Sequence, residues 1–262
     1  MLKAVLFDLD NTLVHFDESR FFDEYMRLLA PGFADLWPVE TFRRRLIASV
    51  RALLDNDGTD TNHDRFMNHF CAGIDVSPEM IQSRFLRFYR SDFHDLKRLV
   101  TVPAGNRRLI EELRRRSLMI VIASNPVWPL DVQNIRLGWA GLDGFPFDRI
   151  THSGNTHFCK PRMAYYSEIC RELNLAPESC LMVGNDPVND MVVAEIGMRT
   201  YWVRVPGTDD GLPLSRELRK GEAAAVFVPD GSGPLDGIPD TVNRLLRTAG
   251  GRAGRKENTK TP

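Results

Sequence analysis

The sequence predicts an α/β protein with a doubly wound parallel sheet and a helical segment inserted after the first strand. Short, continuous apolar runs recur along the chain, and longer segments with helical periodicity separate them. Such runs are typical of strands buried on both faces, as in parallel sheets. The alternation breaks after the first strand, where residues 15–100 show helical patterns and no convincing strand.

The strands are expected where apolar residues cluster, and the pattern is weakest at the third position. They fall at residues 2–7, 118–123, 149–152, 180–183, 200–205 and 224–228. The helices that alternate with them are predicted from apolar spacing at 104–116, 128–137, 164–173, 188–196 and 240–248. This order of elements is typical of an open sheet covered by helices on both faces.

The inserted segment contains helical patterns at 18–29, 40–54, 64–71 and 78–89, separated by helix breakers such as Pro31-Gly32 and Ser77-Pro78. We therefore predict an α/β core formed by residues 1–14 and 101–248 and a helical subdomain formed by residues 15–100. Residues 249–262 are predicted to be a disordered tail, since they are rich in Gly, Lys and Arg and almost free of apolar side chains.

The composition is typical of a soluble globular protein. The chain has 262 residues, 43% of them hydrophobic, and a formal net charge of −1, so no overall field indicates nucleic acid or an anionic membrane as a partner. No apolar run approaches bilayer length, no signal-peptide pattern is visible, and the four cysteines show no CxxC spacing. We expect a soluble cytoplasmic protein, monomer or homodimer, with neither nucleic acid nor membrane as partner.

Two carboxylates follow the first strand, Asp8 and Asp10. In an extended chain residues i and i+2 point to the same side, so both could reach one small volume unless the chain turns between them. Because two close anions repel, a cation or a shared proton is expected between them. The pattern indicates a site that holds a divalent metal and offers a carboxylate as nucleophile or acid. The alternative is a strand end with turn-forming Asp and Asn residues.

Polar side chains also follow the later strands, and ligands of open α/β sheets bind beyond the carboxyl ends of the strands. Ser124 and Asn125 come after the second strand, Lys160 after the third, and an acidic cluster with Asp186 and Asp190 after the fourth. Each has a structural alternative, namely a turn before proline, a solvated lysine, and a helix cap by Asp186. Their expected convergence at one edge of the sheet predicts a functional site.

The motifs resemble those of haloacid dehalogenase superfamily hydrolases, in the family's order. The segment DLDNT at 8–12 matches the DxDxT motif, ASN at 123–125 the second motif, and KP at 160–161 the third, while GNDPVND at 184–190 resembles the acidic fourth. One departure is Asn185, because the family often has Asp directly after the glycine. The helical insertion resembles the C1-type cap of the phosphoglycolate phosphatase-like branch.

The resemblance implies the family's fold, a Rossmann-like parallel sheet, and a Mg²⁺-dependent phosphatase that hydrolyses a small phosphorylated metabolite through an aspartyl phosphate. Asp8 would be the nucleophile, Asp10 the acid and base, and Lys160 the third catalytic residue. The adjacent charge of Asp8 would favour the proton that Asp10 needs near neutral pH.

The resemblance also implies the binding residues. The phosphate oxygens would be bound by Thr12, Ser124, Asn125 and Lys160. Mg²⁺ would be held by Asp8, the backbone carbonyl of Asp10 and Asp186, with Asp190 as the second choice or an outer partner. Asn185 could ligate through its amide oxygen but would contribute no charge.

Two alternatives stay open. A phosphomutase of the same fold would pass the phosphoryl group to a sugar, and a catalytically inactive domain would only bind a ligand. Dehalogenase activity is disfavoured, because family dehalogenases usually lack the second Asp, and Asp10 is present here.

Overall fold

A computed structural model describes residues 1–204 and 228–253, and it contains the predicted parallel sheet. All strand pairs are parallel, and the strand order is β3-β2-β1-β4-β5-β6. The strands are β1 Ala4–Phe7, β2 Met119–Ile122, β3 Arg149–Ile150, β4 Cys180–Gly184, β5 Arg199–Val203 and β6 Gly231–Gly233. The predicted α/β class is confirmed.

The first strand lies at the centre of the sheet, between β2 and β4. Its side chains alternate between two apolar layers, since Val5 and Phe7 belong to one core cluster and Ala4 and Leu6 to another. Burial on both faces explains why this strand is a continuous apolar run rather than an alternating one. Because the chain winds outward from β1 in both directions, the carboxyl ends of β1, β2 and β4 form the crevice in which such sheets bind ligands.

Helices cover both faces of the sheet, which confirms the doubly wound arrangement. Side chains of α5 Asn106–Arg115, α6 Leu130–Trp139 and α8 Ile238–Ala253 contribute to the core cluster on the Val5 face. Those of α7 Met163–Glu172 and of the 3₁₀ segment Val192–Ile196 contribute to the cluster on the Leu6 face. No helix in the described ranges is long and apolar enough to pass through a bilayer.

The inserted segment 15–100 is helical, as predicted. It consists of α1 Glu18–Leu29, α2 Val39–Leu54, α3 Asn62–Phe70 and α4 Pro78–Arg90, with 3₁₀ segments at Ala30–Phe33 and Asp92–Leu99. These elements share a core rich in aromatic rings, in which Phe33 and Phe42 lie with their ring centroids 4.7 Å apart. The same core includes Trp139 of α6, stacked 5.2 Å from Phe93, so it continues into the sheet domain.

The two passages between this segment and the sheet domain run side by side. His15 and Thr101 exchange two backbone hydrogen bonds of 2.8 Å as an antiparallel bridge. A further contact is made through Asn62, a fully buried residue at the start of α3, whose backbone N–H donates to the Thr156 carbonyl at 2.9 Å. The helical segment is therefore attached to the sheet domain both at its entry and through α3.

Two local predictions differ from the structure. Residues 230–234, where no strand was predicted, contain the edge strand β6, whose glycines allow close approach, because a Cβ on Gly231 would lie 2.8 Å from Tyr201. The helix predicted at 188–196 is a turn followed by the 3₁₀ segment Val192–Ile196, since the Asp186 side chain accepts the backbone N–H groups of a tight turn there.

Other boundaries involve residues outside the described ranges. The strand predicted at 224–228 falls on residues outside the described ranges, except for Val228, which is not in a strand. Helix α8 continues to Ala253, beyond residue 248 at which we predicted its end, and residues 254–262 of the predicted tail are again outside the described ranges.

Candidate active site

The carboxyl end of the central strand delivers Asp8, and a buried lysine meets it there. The Asp8 backbone N–H donates to the Val183 carbonyl at 2.9 Å, which fixes the end of β1 against β4. The Lys160 ammonium donates to Asp8 Oδ1 at 2.7 Å and to Asp190 Oδ1 at 2.6 Å. Lys160 and Asp190 are buried, so three charges from three separate loops form one ion cluster.

The surroundings of Lys160 hold its positive charge. Burial opposes that charge, but the carboxylates of Asp190 and Asp8 outweigh the effect and raise the pKa of Lys160 well above its usual value. The backbone N–H of Lys160 donates to the Asn125 side-chain oxygen at 3.2 Å, which ties the loop after β3 to the loop after β2. Lys160 is therefore a fixed cation in contact with Asp8 and not the solvated surface lysine of the structural alternative.

Thr12 joins the first motif to the fourth. Its hydroxyl lies 3.2 Å from Asp8 Oδ2 and 3.1 Å from the side-chain oxygen of Asn185. A hydroxyl has one proton to donate, so it serves one of these two acceptors at a time. The amide of Asn185, which departs from the family pattern, thus faces the predicted nucleophile through a single hydroxyl.

Asp10 is paired with a cation that the sequence analysis did not identify. The Arg136 guanidinium of α6 forms an ion pair with Asp10 Oδ1, and Arg136 is almost completely buried. Arg136 also donates to Gln133 Oε1 at 2.7 Å, and Gln133 donates to the Thr151 carbonyl at 3.0 Å, so the guanidinium is held on both sides. Burial lowers the pKa of Arg136 to about 10, which leaves it charged at neutral pH.

The chain turns between Asp8 and Asp10, and the two carboxylates contact different cations. The cation expected beside each carboxylate is a side chain in this structure, namely Lys160 for Asp8 and Arg136 for Asp10. An ion pair favours the charged form of a carboxyl group, so the contact with Arg136 opposes the protonated Asp10 that we expected. No motif marks Arg136, because one arginine on an amphipathic helix has the same sequence pattern whether it is buried or solvated.

In the acidic fourth motif the Asp186 side chain is hydrogen-bonded to the turn that follows β4. Asp186 Oδ1 accepts the backbone N–H groups of Val188 and Asn189 at 2.8 and 3.1 Å, which is the capping role. Its Oδ2 accepts from the Asn189 amide at 2.6 Å. Asp190 Oδ2 accepts the Asp186 backbone N–H at 3.1 Å while its Oδ1 contacts Lys160. Asp190 is thus committed to the ion cluster, and Asp186 remains beside the cavity with its oxygens hydrogen-bonded.

The loop after β2 presents an unpaired hydroxyl group. Ser124 is buried, and within the described part of the chain its Oγ has no hydrogen-bond partner. Its carbonyl, by contrast, accepts from Thr151 and Tyr165 at 2.8 and 2.9 Å, so the backbone here is firmly held. A buried donor without an acceptor is costly, and a ligand oxygen would satisfy it.

One cavity of about 580 Å³ brings these groups together. Its lining includes most of the predicted site residues, namely Asp8, Asp10, Asn125, Lys160, Asp186 and Asp190. Thr12 and Ser124 are not among the lining residues, although Thr12 contacts Asp8 and Asn185, and Ser124 directly precedes Asn125. The cavity extends from this polar end into the helical segment, where Glu18 also lines it. Burial, followed by the charges of Asp186, Asp8 and Asp17, raises the pKa of Glu18 to about 7.

The polar end of the cavity offers oxygen ligands only. Among the described residues no three His, Cys, Asp or Glu side chains are grouped closely enough to hold a metal ion by themselves. Mg²⁺ is commonly bound by one or two carboxylates together with water and substrate phosphate, and it prefers oxygen. Asp8, Asp186 and the Asn185 amide oxygen therefore fit Mg²⁺ in chemical kind, and they do not form a complete cage of protein ligands.

Known proteins resemble this chain in sequence and in fold. The family model described as haloacid dehalogenase-like hydrolase matches residues 2–195. The chain belongs to this hydrolase family. The phosphoserine phosphatase of Thermus thermophilus is 29% identical to this haloacid dehalogenase-like hydrolase over 139 residues, which are 53% of this chain and 54% of that protein. The match thus spans about half the length of this curated relative.

Solved structures resemble this haloacid dehalogenase-like hydrolase over almost its whole length. The 2-haloacid dehalogenase from Pseudomonas syringae pv. Tomato DC3000 has a TM-score of 0.59 and 20% identity, covering 93% of this chain and 99% of that one. A HAD phosphatase from Thermococcus onnurineus has a TM-score of 0.54 and 19% identity, covering 92% and 98%. At such low identity these likenesses establish the fold and do not separate phosphatase from dehalogenase.

Proposed function

We propose that this haloacid dehalogenase-like hydrolase is a phosphatase that hydrolyses a small phosphorylated substrate through an aspartyl phosphate on Asp8. The observation that carries the proposal is the buried Lys160 in contact with Asp8, and the unpaired hydroxyl of Ser124, which follows the neighbouring strand β2, supports it. A phosphate dianion needs a cation and hydrogen-bond donors in a fixed arrangement, and this edge of the sheet offers both. The half-length likeness to a phosphoserine phosphatase supports the same reaction class.

In the first step Asp8 attacks phosphorus, the bond from phosphorus to the leaving oxygen breaks, and Asp10 gives that oxygen a proton. In the second step Asp10 takes a proton from water as the water attacks phosphorus, and inorganic phosphate leaves with Asp8 restored. Lys160, Ser124 and the Asn125 amide bind the phosphate oxygens throughout, with Thr12 as a further hydroxyl donor. The protein thus supplies position and charge, as in other phosphoryl transfers.

The ion pair between Arg136 and Asp10 has a different effect on each of the two steps. The ion pair favours charged Asp10, which is the form that acts as a base in the second step. In the first step Asp10 must hold a proton, so its carboxyl group has to leave Arg136 before the leaving oxygen can be protonated. The side chain of Asp10 lines the cavity and is 28% exposed, which gives it room to separate from Arg136.

We also propose that Mg²⁺ is the cofactor, held by Asp8, the backbone carbonyl of Asp10 and Asp186, with Asp190 as second choice. When bound, the ion would reduce the repulsion between the Asp8 carboxylate and the incoming phosphate dianion. The helical segment 15–100 acts as the cap in this proposal: it closes one side of the cavity, excludes water and contacts the leaving group.

The test is phosphate release from 4-nitrophenyl phosphate with Mg²⁺. Asp8→Asn keeps the shape of the side chain and removes its nucleophilic charge, so we expect kcat to fall by about 10³-fold or more. Asp75→Asn, at an exposed loop position, is the matched control and is expected to retain full activity. Equal rates for Asp8→Asn and wild type, or halide release from a 2-haloacid without phosphate release from any ester, would contradict the proposal.

A further inference from the structure

The cavity continues beyond the polar end into a chamber formed by the helical segment. Side chains from α1, α2, α3 and α4 line it, and most are apolar or aromatic, among them Phe22, Val50, Leu54, Phe66 and Leu86. A volume of about 580 Å³ lies within the range of pockets that enclose drug-sized ligands. The phosphoryl group occupies only the polar end, so the chamber is the space available to the leaving group.

The charges around the chamber exclude a second anionic group on the substrate. The charged lining groups that the helical segment contributes are the carboxylates of Glu18 and Asp55, and no described Lys or Arg of α1 to α4 lines the cavity. A carboxylate or second phosphate placed among α1 to α4 would lie between apolar side chains and near Glu18 and Asp55, with no cation from these helices to pair with it.

The lining cations come from the sheet domain, and each has a partner. Lys160 contacts Asp8 and Asp190, and Arg136 contacts Asp10. Arg162 donates to the backbone carbonyl of Asn56. None of them lies on the helices that form the chamber.

A sugar fits the chamber no better than an anion does. Each hydroxyl group of a sugar needs a partner when it is buried, and apolar walls leave such groups unpaired at a cost that binding does not recover. The polar groups that the helical segment adds to the lining are few beside the apolar ones, and they are the side chains of Glu18, Asp55, His63 and Gln82 and the hydroxyls of Tyr25 and Tyr89. The chamber therefore selects apolar surface.

We propose that the leaving group of the substrate is a bulky, apolar alcohol without negative charge, seated among α1, α2 and α4. This inference rests on the proposed phosphatase function and names its substrate class. Enzymes that release a carboxylate-bearing or sugar-like alcohol need polar side chains to bind that alcohol. In this chain the walls of the chamber are mostly apolar.

The first experiment measures kcat/KM for linear alkyl phosphates from propyl to hexyl. The acidity of the leaving alcohol hardly changes along this series, so chain length reports burial of methylene groups. We expect kcat/KM to rise about fourfold per methylene, or roughly 60-fold from propyl to hexyl phosphate. A six-carbon phosphate ester that ends in a carboxylate is expected to lose at least tenfold relative to hexyl phosphate.

A variant pair locates the effect in the chamber. Val50→Phe, in the middle of α2, fills part of the chamber and is expected to lower kcat/KM for hexyl phosphate about tenfold while changing propyl phosphate less than twofold. Val39→Phe makes the same substitution at the start of α2, where Val39 is 55% exposed and outside the cavity, and it should change neither substrate. Equal effects of the two variants would overturn the assignment.

Binding of propylphosphonate and hexylphosphonate, measured by calorimetry, separates this inference from the proposed function. Affinity that rises with chain length in wild type and less so in Val50→Phe supports the apolar chamber even if no ester is hydrolysed, an outcome that would overturn only the phosphatase proposal. Phosphate release with no dependence on chain length, or equal rates for the carboxylate-ended ester, would overturn the apolar leaving group and leave the phosphatase proposal standing.

Discussion

The carboxyl group of Glu18 is expected to make the stability of the protein depend on pH. Glu18 lies in the first turn of α1 and faces the cavity that holds Asp8 and Asp186. Burial, and then the charges of Asp186, Asp8 and Asp17, raises its pKa from 4.5 to about 7. A shift of this size corresponds to roughly 3 kcal/mol of preference for the protonated form in the folded state.

The direction of this pH dependence is set by whether the folded or the unfolded state binds the Glu18 proton more tightly. In the folded protein Glu18 keeps its proton up to about pH 7, whereas in the unfolded chain it loses the proton near pH 4.5. The free energy of unfolding therefore falls as pH rises between these values, and the full cost is present above pH 7. Glu18→Gln removes the group, so we expect the variant to exceed wild type in stability by up to about 3 kcal/mol at pH 8 and to match it near pH 4.5.

Urea unfolding at pH 4.5 and pH 8, in EDTA to remove divalent cations, measures this difference. Glu40→Gln is the matched control, because Glu40 also lies in the first turn of a helix, α2, but is exposed. Both substitutions remove an acidic group from a helix N-terminus, so the comparison cancels the effect on the helix dipole. A Glu18→Gln gain at pH 8 no larger than that of Glu40→Gln would refute the reasoning.

Two further predictions concern the fourth motif. Asp186→Ala is expected to raise the Mg²⁺ concentration for half-maximal phosphatase activity more than Asn185→Ala does, since a carboxylate contributes charge that an amide lacks. The opposite order of the two variants in a Mg²⁺ titration would assign the ligand to Asn185. Gly184→Ala is expected to cost about 1–3 kcal/mol in urea unfolding, because its Cβ would lie 2.1 Å from Asp190 Oδ2. Gly32→Ala, with nothing within 4 Å, is the control, and an equal loss in both variants would show that Asp190 moves freely.

Much of the fold was accessible from apolar patterning alone. The central strand was recognisable because both of its faces are buried, and the α1 boundaries at Glu18–Leu29 were predicted without error, since Asp17 caps the helix and its apolar positions recur with helical spacing. β6 was missed, because Gly-Ser-Gly has no strand propensity. It pairs only because the edge of β5 is free and the glycines let the backbone pass close to Tyr201.

The site was predictable to the extent that it follows strand ends. Asp8 and Lys160 lie 152 positions apart in the chain, yet each follows a strand of one parallel sheet, so the rule for open α/β sheets places both at the same edge. Arg136 and Glu18 could not be found this way. Both lie on helices, and whether a charged helical residue faces solvent or a cavity depends on what packs against that face.

The sequence by itself determined the class of the fold, the edge of the sheet at which the polar groups gather, and the types of residue there, since these follow from periodicity and from short motifs at strand ends. Only the tertiary structure decided that Lys160 faces Asp8, that Arg136 faces Asp10, and that the helical segment surrounds an apolar chamber. The physical reason is that pairing of charges and the shape of a cavity are set by contacts between residues far apart in the chain, which no local pattern encodes.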